Sequence, residues 1–403
     1  MENKHTESKY RWYVLGLAAL TLSFCMAMPH ICMPVLFNEI SADIGLSLVQ
    51  IGWIWGFFPM SGLFIVFVAG LLADRFGSRR ILILACATAG LAGASRGLSN
   101  SFYSLLLTTF IFGLLVGFMP SNAFKAAATW FPSEQRGLAS GILMAGMGAG
   151  FTISSMLSAT LLSPMLGSWR RVLFLYGGIS ILIALLWLTT VKERRSAGKI
   201  GAGTGVKPRD AIYNVLRNKN VWLISLATMC YHGCIQGMCG YLPFYLRESK
   251  GWLPASADGT LAAFTGVSTL GAVPISLLSD KFGRRKLLVL SIITVAIIGV
   301  GLLSVAEGFI VWAIIIMVGI GRDALIAMVN AANMDSKGIG SLYSGTAVGF
   351  LQTISRIGAF LSPPIGNSVA VFGESLPFTM WAALSVVAFL CFSFTGETAH
   401  REE

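Results

Sequence analysis

Twelve apolar runs separated by short polar segments make up most of the chain. Their approximate limits are 12–37, 49–72, 80–97, 102–128, 137–163, 172–190, 221–246, 258–279, 287–305, 309–333, 341–369 and 375–395. A helix needs about 20 apolar residues to cross the hydrocarbon core of a bilayer, and these runs are of that order. One long polar segment interrupts the series, "VKERRSAGKIGAGTGVKPRDAIYNVLRNKN" from Val191 to Asn220. It is basic and glycine-rich, and it divides the runs six and six. The pattern predicts an all-α membrane protein, with one six-helix bundle over 1–190, a flexible linker over 191–220 and a second six-helix bundle over 221–403.

Composition agrees. Of the 403 residues, 55% are hydrophobic and 12% are charged; soluble domains carry about 25% charge. A net charge of +11 could point to nucleic acid. However, 21 of the 29 Lys and Arg fall in the segments that alternate onto one side of the membrane. That is the positive-inside pattern, so no nucleic-acid partner is needed to explain the charge. It predicts a multi-pass protein of the inner membrane with both termini cytoplasmic. "MENKHTESKYR" is polar and the run after it is too long for a signal peptide core, so no cleavable signal is expected. The seven cysteines lie inside apolar runs, so no disulfide framework is expected.

The two halves resemble each other. "GLLADRFGSRR" (Gly70 to Arg80) follows the second run, and "SLLSDKFGRRK" (Ser276 to Lys286) follows the eighth. Asp74 and Asp280 are 206 residues apart, while "LASGI" at Leu138 and "LYSGT" at Leu342 are 204 apart. Near-constant offsets across unrelated motifs indicate an internal duplication, the usual build of secondary transporters.

On these residues the sequence resembles the major facilitator superfamily over essentially its whole length. The first loop carries Gly70, Leu72, Asp74, Arg75, Gly77, Arg79 and Arg80 of the family's gating motif. The second keeps Asp280, Gly283, Arg284 and Arg285, but has Ser276 for the first glycine and Lys281 for arginine. The resemblance implies twelve helices in two pseudo-symmetric six-helix bundles. It also implies alternating access, with helices 1, 4, 7 and 10 lining the pathway. "WFPSEQRGLASGI" (Trp130 to Ile142) is similar to the nitrate/nitrite, cyanate and organic-anion branches, which implies a small anion as substrate. Nitrate porters resemble one another in an arginine on both the second and the eighth helix, and neither run here has one. Drug antiporters share a fifth-helix motif that Gly137, Gly146 and Gly150 match, but Phe151 stands where that motif has proline.

An ionised side chain at the centre of a spanning helix costs about 2.5–3.5 kcal/mol on insertion scales. Lys125, Arg322, Asp323 and Arg356 are all placed this way. Such groups must face a wet cavity or pair with one another. Together with His30 and His232 they fall on helices 1, 4, 7, 10 and 11 only. Helical spacing puts Gln352 on one face with Arg356, Gln236 with His232, and Asn122 with Lys125. Three cations against one carboxylate leave an electropositive chamber that a small anion would balance. The predicted substrate set is therefore Arg356, Arg322, Lys125, Gln352, Asn122, Gln236 and His232. Asp323, the one mid-span carboxylate, and His30 are the proton-coupling candidates. An Arg322–Asp323 pair, or Asp323 bonded to Lys125 or Arg356, that merely holds helices together is the competing explanation.

Helix 1 also contains "CMAMPHICM" (Cys25 to Met33) and helix 7 "MCYHGCIQGMC" (Met229 to Cys239). Cys25 and Cys230 are 205 apart, as are Met33 and Met238, so a soft metal such as Cu(I) is an alternative cargo. No catalytic constellation, cofactor site or phosphate loop occurs. "GASRG" (Gly93 to Gly97) follows no strand, so it lacks the nucleophile elbow. The expectation is a monomeric carrier, not an enzyme, that moves a small anion in symport with protons; a copper-type transporter and a drug or metabolite efflux antiporter are the alternatives.

Overall fold

The computed structural model describes residues 2–192, 208–282, 285–336 and 339–396. Among these there is no strand, and twelve long helices carry the fold. They are α1 (Lys9–Ile44), α2 (Leu48–Phe76), α3 (Ser78–Leu98), α4 (Phe102–Trp130), α5 (Arg136–Leu166), α6 (Trp169–Thr190), α7 (Lys219–Glu248), α8 (Pro254–Phe282), α9 (Arg285–Leu302), α10 (Phe309–Met334), α11 (Gly340–Val369) and α12 (Leu376–Ser393). Among the described residues, nine of these are both long and apolar enough to cross a membrane. Helices α7 and α11, at 30 residues each, have the length. They are less apolar because His232, Gln236, Gln352 and Arg356 interrupt them. Leucines such as Leu84, Leu91, Leu182, Leu270 and Leu277 are exposed along the helices, as expected where lipid is the solvent.

The chain forms two compact units. The first comprises Met1–Ser47, Phe57–Ile200 and Trp252–Ala262; the second comprises Leu48–Gly56, Gly201–Gly251 and Ala263–Glu403. The same pairs of helices meet within each unit. In the first, α5 lies against α1, so a Cβ on Gly146 would come 3.0 Å from Ala19 and one on Gly150 2.7 Å from the Ser23 hydroxyl. In the second, α11 lies against α7, and a Cβ on Gly358 would come 2.1 Å from the Met229 carbonyl oxygen. Likewise α3 meets α6 through Gly90 and Gly177, and α9 meets α12. Small residues at these crossings let the backbones approach. Gly137, the first glycine of the drug-antiporter pattern, would have nothing within 4 Å of a Cβ, so it plays no such part.

Several helices are interrupted: α4 between Val116 and Met119, α5 by a π-helical stretch at Ser158–Leu162, and also α1 and α10. In α1 a π-helical stretch, Thr21–Ala27, precedes Pro29 and Pro34. In α10 the helix stops at Ile320 and restarts at Arg322, with Gly321 between. Gly77 closes the loop between α2 and α3 at φ 83°, a conformation that favours glycine, which explains its place in the loop motif.

One expectation needs correction. The linker over 191–220 is not uniformly flexible, because Pro208–Arg217 is a helix that packs in the second unit. At the end of α3, Arg96 is 1% exposed. Its Nη2 donates to the Pro29 carbonyl at 2.8 Å, its Nε donates to Gly93 at 3.3 Å, and its Cζ sits 4.0 Å over Phe112. Carbonyls and a ring face offset the desolvation of this charge.

Candidate substrate site

The polar groups of the second unit gather where α7, α10 and α11 meet. The break at Gly321 begins a new half-helix, and its first turn holds Asp323, where the positive end of the helix dipole favours a carboxylate. Arg322 Nη1 donates to Asp323 Oδ1 at 3.1 Å, and both side chains are about one-quarter exposed, at 26% and 27%. The adjacent arginine and aspartate thus pair within the apolar helix, and the start of the half-helix favours the carboxylate. The guanidinium also lies 5.8 Å from the ring centre of Phe264. Tyr231 and Cys239 of α7 lie within electrostatic reach of it.

The pair does not use every donor. Among the described residues, Arg322 Nε is buried without a hydrogen-bond partner. The same holds for the hydroxyl of Tyr231, whose side chain is wholly buried, and for Nε2 of Gln236. A buried donor without an acceptor costs about 1–3 kcal/mol, so each of the three calls for an acceptor atom. Gln236 is held by its own backbone, since its carbonyl accepts from Trp55 Nε1 at 2.8 Å.

On α11, Ser355 Oγ hydrogen-bonds His232 Nδ1, which fixes the imidazole. Gln352 Nε2 reaches Asn330 Oδ1 at 3.5 Å, the outer limit of such a bond. Arg356 lies one turn from Gln352, is half-buried, and acts electrostatically on His232. Among the described residues it has no ion-pair or hydrogen-bond partner. Within the spans of α10 and α11, the described residues thus include the Arg322–Asp323 pair and, in Arg356, a guanidinium without a counter-charge.

The first unit holds the remaining predicted residues. Asn122 is fully buried; its Nδ2 donates to the Phe118 carbonyl at 2.8 Å, and its Oδ1 is left without a partner. Lys125, three residues on, is half-buried on the same face. His30 stacks on Phe58 at 3.7 Å between centroids and meets Phe151 edge-on at 6.4 Å. Among the described residues no three His, Cys, Asp or Glu side chains are grouped to hold a metal. Cys25, Met33, Cys230 and Met238 are all buried apolar core.

A cleft of about 450 Å³ lies where α1, α5 and α6 end in the first unit, lined by Glu39, Asp43, Ser163, Trp169 and Arg170. Its carboxylates are already engaged. Asp43 accepts from Arg170 Nη2 at 2.8 Å and from Trp169 Nε1 at 3.1 Å, and Glu39 accepts from the Ser163 hydroxyl.

The loop residues have anchoring roles within each unit. Arg79 Nη2 donates to the Leu188 carbonyl at 2.7 Å, near the end of α6. Lys286 donates to the Ser393 and Thr395 carbonyls at the end of α12, at 2.8 and 2.6 Å. Cations there suit the negative end of a helix dipole. Arg285 pairs with Asp335 at 2.7 Å, and Arg80 is exposed. Gly283 and Arg284 lie outside the described residues, as do the side chains of Asp74, Arg75 and Asp280; for Gly70 only the helical backbone is described.

Sequence reasoning missed Tyr231, Ser355, Asn330 and Arg96. Tyr231 adjoins His232 in sequence, but no spacing rule separates a core tyrosine from one whose hydroxyl awaits a ligand.

The sequence matches the family model described as Major Facilitator Superfamily over residues 15–363 and 256–403. It is 29% identical over 316 residues to a probable nitrate/nitrite antiporter of Thermus thermophilus, covering 75% of this chain and 68% of that protein. It is 24% identical over 406 residues to a probable sulfoacetate transporter of Cupriavidus necator, covering 96% and 94%. Among solved structures, a bacterial homologue of the human lysosomal transporter Spinster superposes with a TM-score of 0.81 at 18% identity, covering 98% of this chain and 99% of that one. At that identity the likeness speaks for the fold.

Proposed function

The chain belongs to the major facilitator superfamily, and we propose that it is a secondary carrier of a small anion, an organic acid or an inorganic oxyanion, coupled to protons in symport. The observation that carries this reading is Arg356, a half-buried guanidinium without a counter-charge among the described residues. The same unit holds the orphaned donors of Arg322, Tyr231 and Gln236. An anion accepts hydrogen bonds and brings negative charge, so it satisfies both deficits at once. Relatives whose names refer to nitrate, nitrite and sulfoacetate support the same class.

In this reading two six-helix halves, 1–190 and 221–403, alternate access to the substrate, with both termini in the cytoplasm of a monomer in the inner membrane. Lys125 and Asn122 would contribute from the first half. Asp323, ion-paired with Arg322 and placed within the span, is the leading proton carrier. His30 is the second proton candidate.

The test is uptake into proteoliposomes. Arg356→Gln abolishes transport of carboxylates and oxyanions while leaving expression and monodispersity unchanged; full transport by this variant overturns the reading. Asp323→Asn leaves substrate exchange intact but removes substrate-driven proton movement, measured with an entrapped pH dye. Proton flux retained in that variant assigns the coupling elsewhere.

A further inference from the structure

The helix Pro208–Arg217 belongs to the polar segment between the two halves, yet it has two unlike sides. Val215 is 1% exposed and packs with Val221, Ile339 and Ala347, beside Tyr343 and Phe350. Ile212, Tyr213 and Leu216 are 52%, 58% and 44% exposed. Positions 212 and 216 are one turn apart and 213 is three before 216, so the three make a single apolar stripe. An exposed apolar stripe in a segment otherwise rich in charge needs an occupant.

The fold limits what that occupant can be. Asn218 separates this helix from α7, and its Oδ1 accepts from the backbone N–H groups of Asn220 and Val221. Trp222, on the first turn of α7, donates its Nε1 to the Leu216 carbonyl at 2.9 Å and meets Phe350 edge-on at 4.9 Å. The short helix is thus clamped directly to the first turn of a spanning helix, the level at which tryptophan and tyrosine sit in membranes. Its charge suits anionic headgroups. Arg217 and Lys219 are exposed, and Arg217 donates to the Tyr213 hydroxyl at 3.0 Å with its guanidinium 5.4 Å over that ring. Across Val191–Asn220 there are eight Lys and Arg against two acidic residues.

We propose that Pro208–Arg217 lies in the membrane surface, with Ile212, Tyr213 and Leu216 sunk among acyl chains and Arg217 and Lys219 on anionic phospholipid headgroups. Such helices bind by buried apolar area plus headgroup attraction, and they respond to lipid composition. The linker is then a tether held to the bilayer, and its lipid contacts can bias the movement of the half it joins.

Spin labels on Ile212→Cys, Leu216→Cys and Asn214→Cys of the full-length protein test this, with unsubstituted protein as the labelling blank. The bilayers are phosphatidylcholine with and without phosphatidylglycerol. Labels at 212 and 216 should favour collision with oxygen over a water-soluble nickel chelate several times more than the label at 214, and more so with phosphatidylglycerol. Arg217→Gln together with Lys219→Gln should remove that lipid dependence. Equal water access at all three sites overturns the proposal. So does spin–spin broadening at 212, which would mean that a second copy covers the stripe. Burial unaffected by phosphatidylglycerol overturns the headgroup assignment.

Discussion

Tyr231→Phe separates a binding residue from a packing residue. The tyrosine side chain is 0% exposed and its hydroxyl has no partner, so phenylalanine refills the same space and removes only the oxygen. If the hydroxyl waits for substrate, the free protein bears a desolvation cost of about 1–3 kcal/mol, and the substitution returns it. The variant should then be more heat-stable in the absence of substrate, by a few degrees at most. The bound state changes in the opposite sense. A hydrogen bond to a charged acceptor is worth about 1.5–3 kcal/mol, so the substitution should raise the KM for uptake by about 10- to 150-fold. Two measurements decide the matter: thermal unfolding in detergent with and without substrate, and initial-rate uptake in proteoliposomes. A variant that is less stable when empty and binds normally refutes the reasoning, because the hydroxyl would then serve the fold.

Other outcomes follow from the same geometry. Gly358→Leu should abolish folded protein, since even a Cβ at that position meets the Met229 carbonyl oxygen at 2.1 Å; Gly349→Ala, with nothing within 4 Å, should be tolerated, as size-exclusion profiles would show. The loop pair Lys250–Glu307, at 2.9 Å, holds Glu307 below the usual carboxylate range and Lys250 above the usual amine range. The carboxylate's contribution is therefore present above its unfolded pKa and lost as pH falls through the depressed folded value. The thermal-stability difference between the unsubstituted protein and Glu307→Gln should accordingly shrink on acidification; a difference independent of acid would refute the pairing.

Much of this protein is determined by local sequence. Twelve runs of the right length dictate membrane helices, because no other open structure satisfies backbone groups in lipid. The motif around Asp74 and its copy around Asp280 reveal the duplication, and the family follows from them. Even the glycines of α5 were interpretable, since small residues recurring along one face permit close approach. Mid-span charges were equally legible, because their insertion cost singles them out without any coordinates.

Partnership was not legible, because hydrogen bonding is a property of neighbours in space. The Arg322–Asp323 pair is suggested by adjacency, but only the tertiary structure decided that Arg356 has no counter-charge among the described residues. In the same way it left the Tyr231 hydroxyl and Gln236 Nε2 without acceptors. Arg96 shows the limit from the other side: by sequence it ends a helix among glycines and serines, like any loop cation. The carbonyl of Pro29 and the ring of Phe112 that make it a core residue are 67 and 16 positions away. The chain alone can tell that charge is expensive in a membrane, but which charges are paired there depends on distances of a few ångströms between helices that no periodicity encodes.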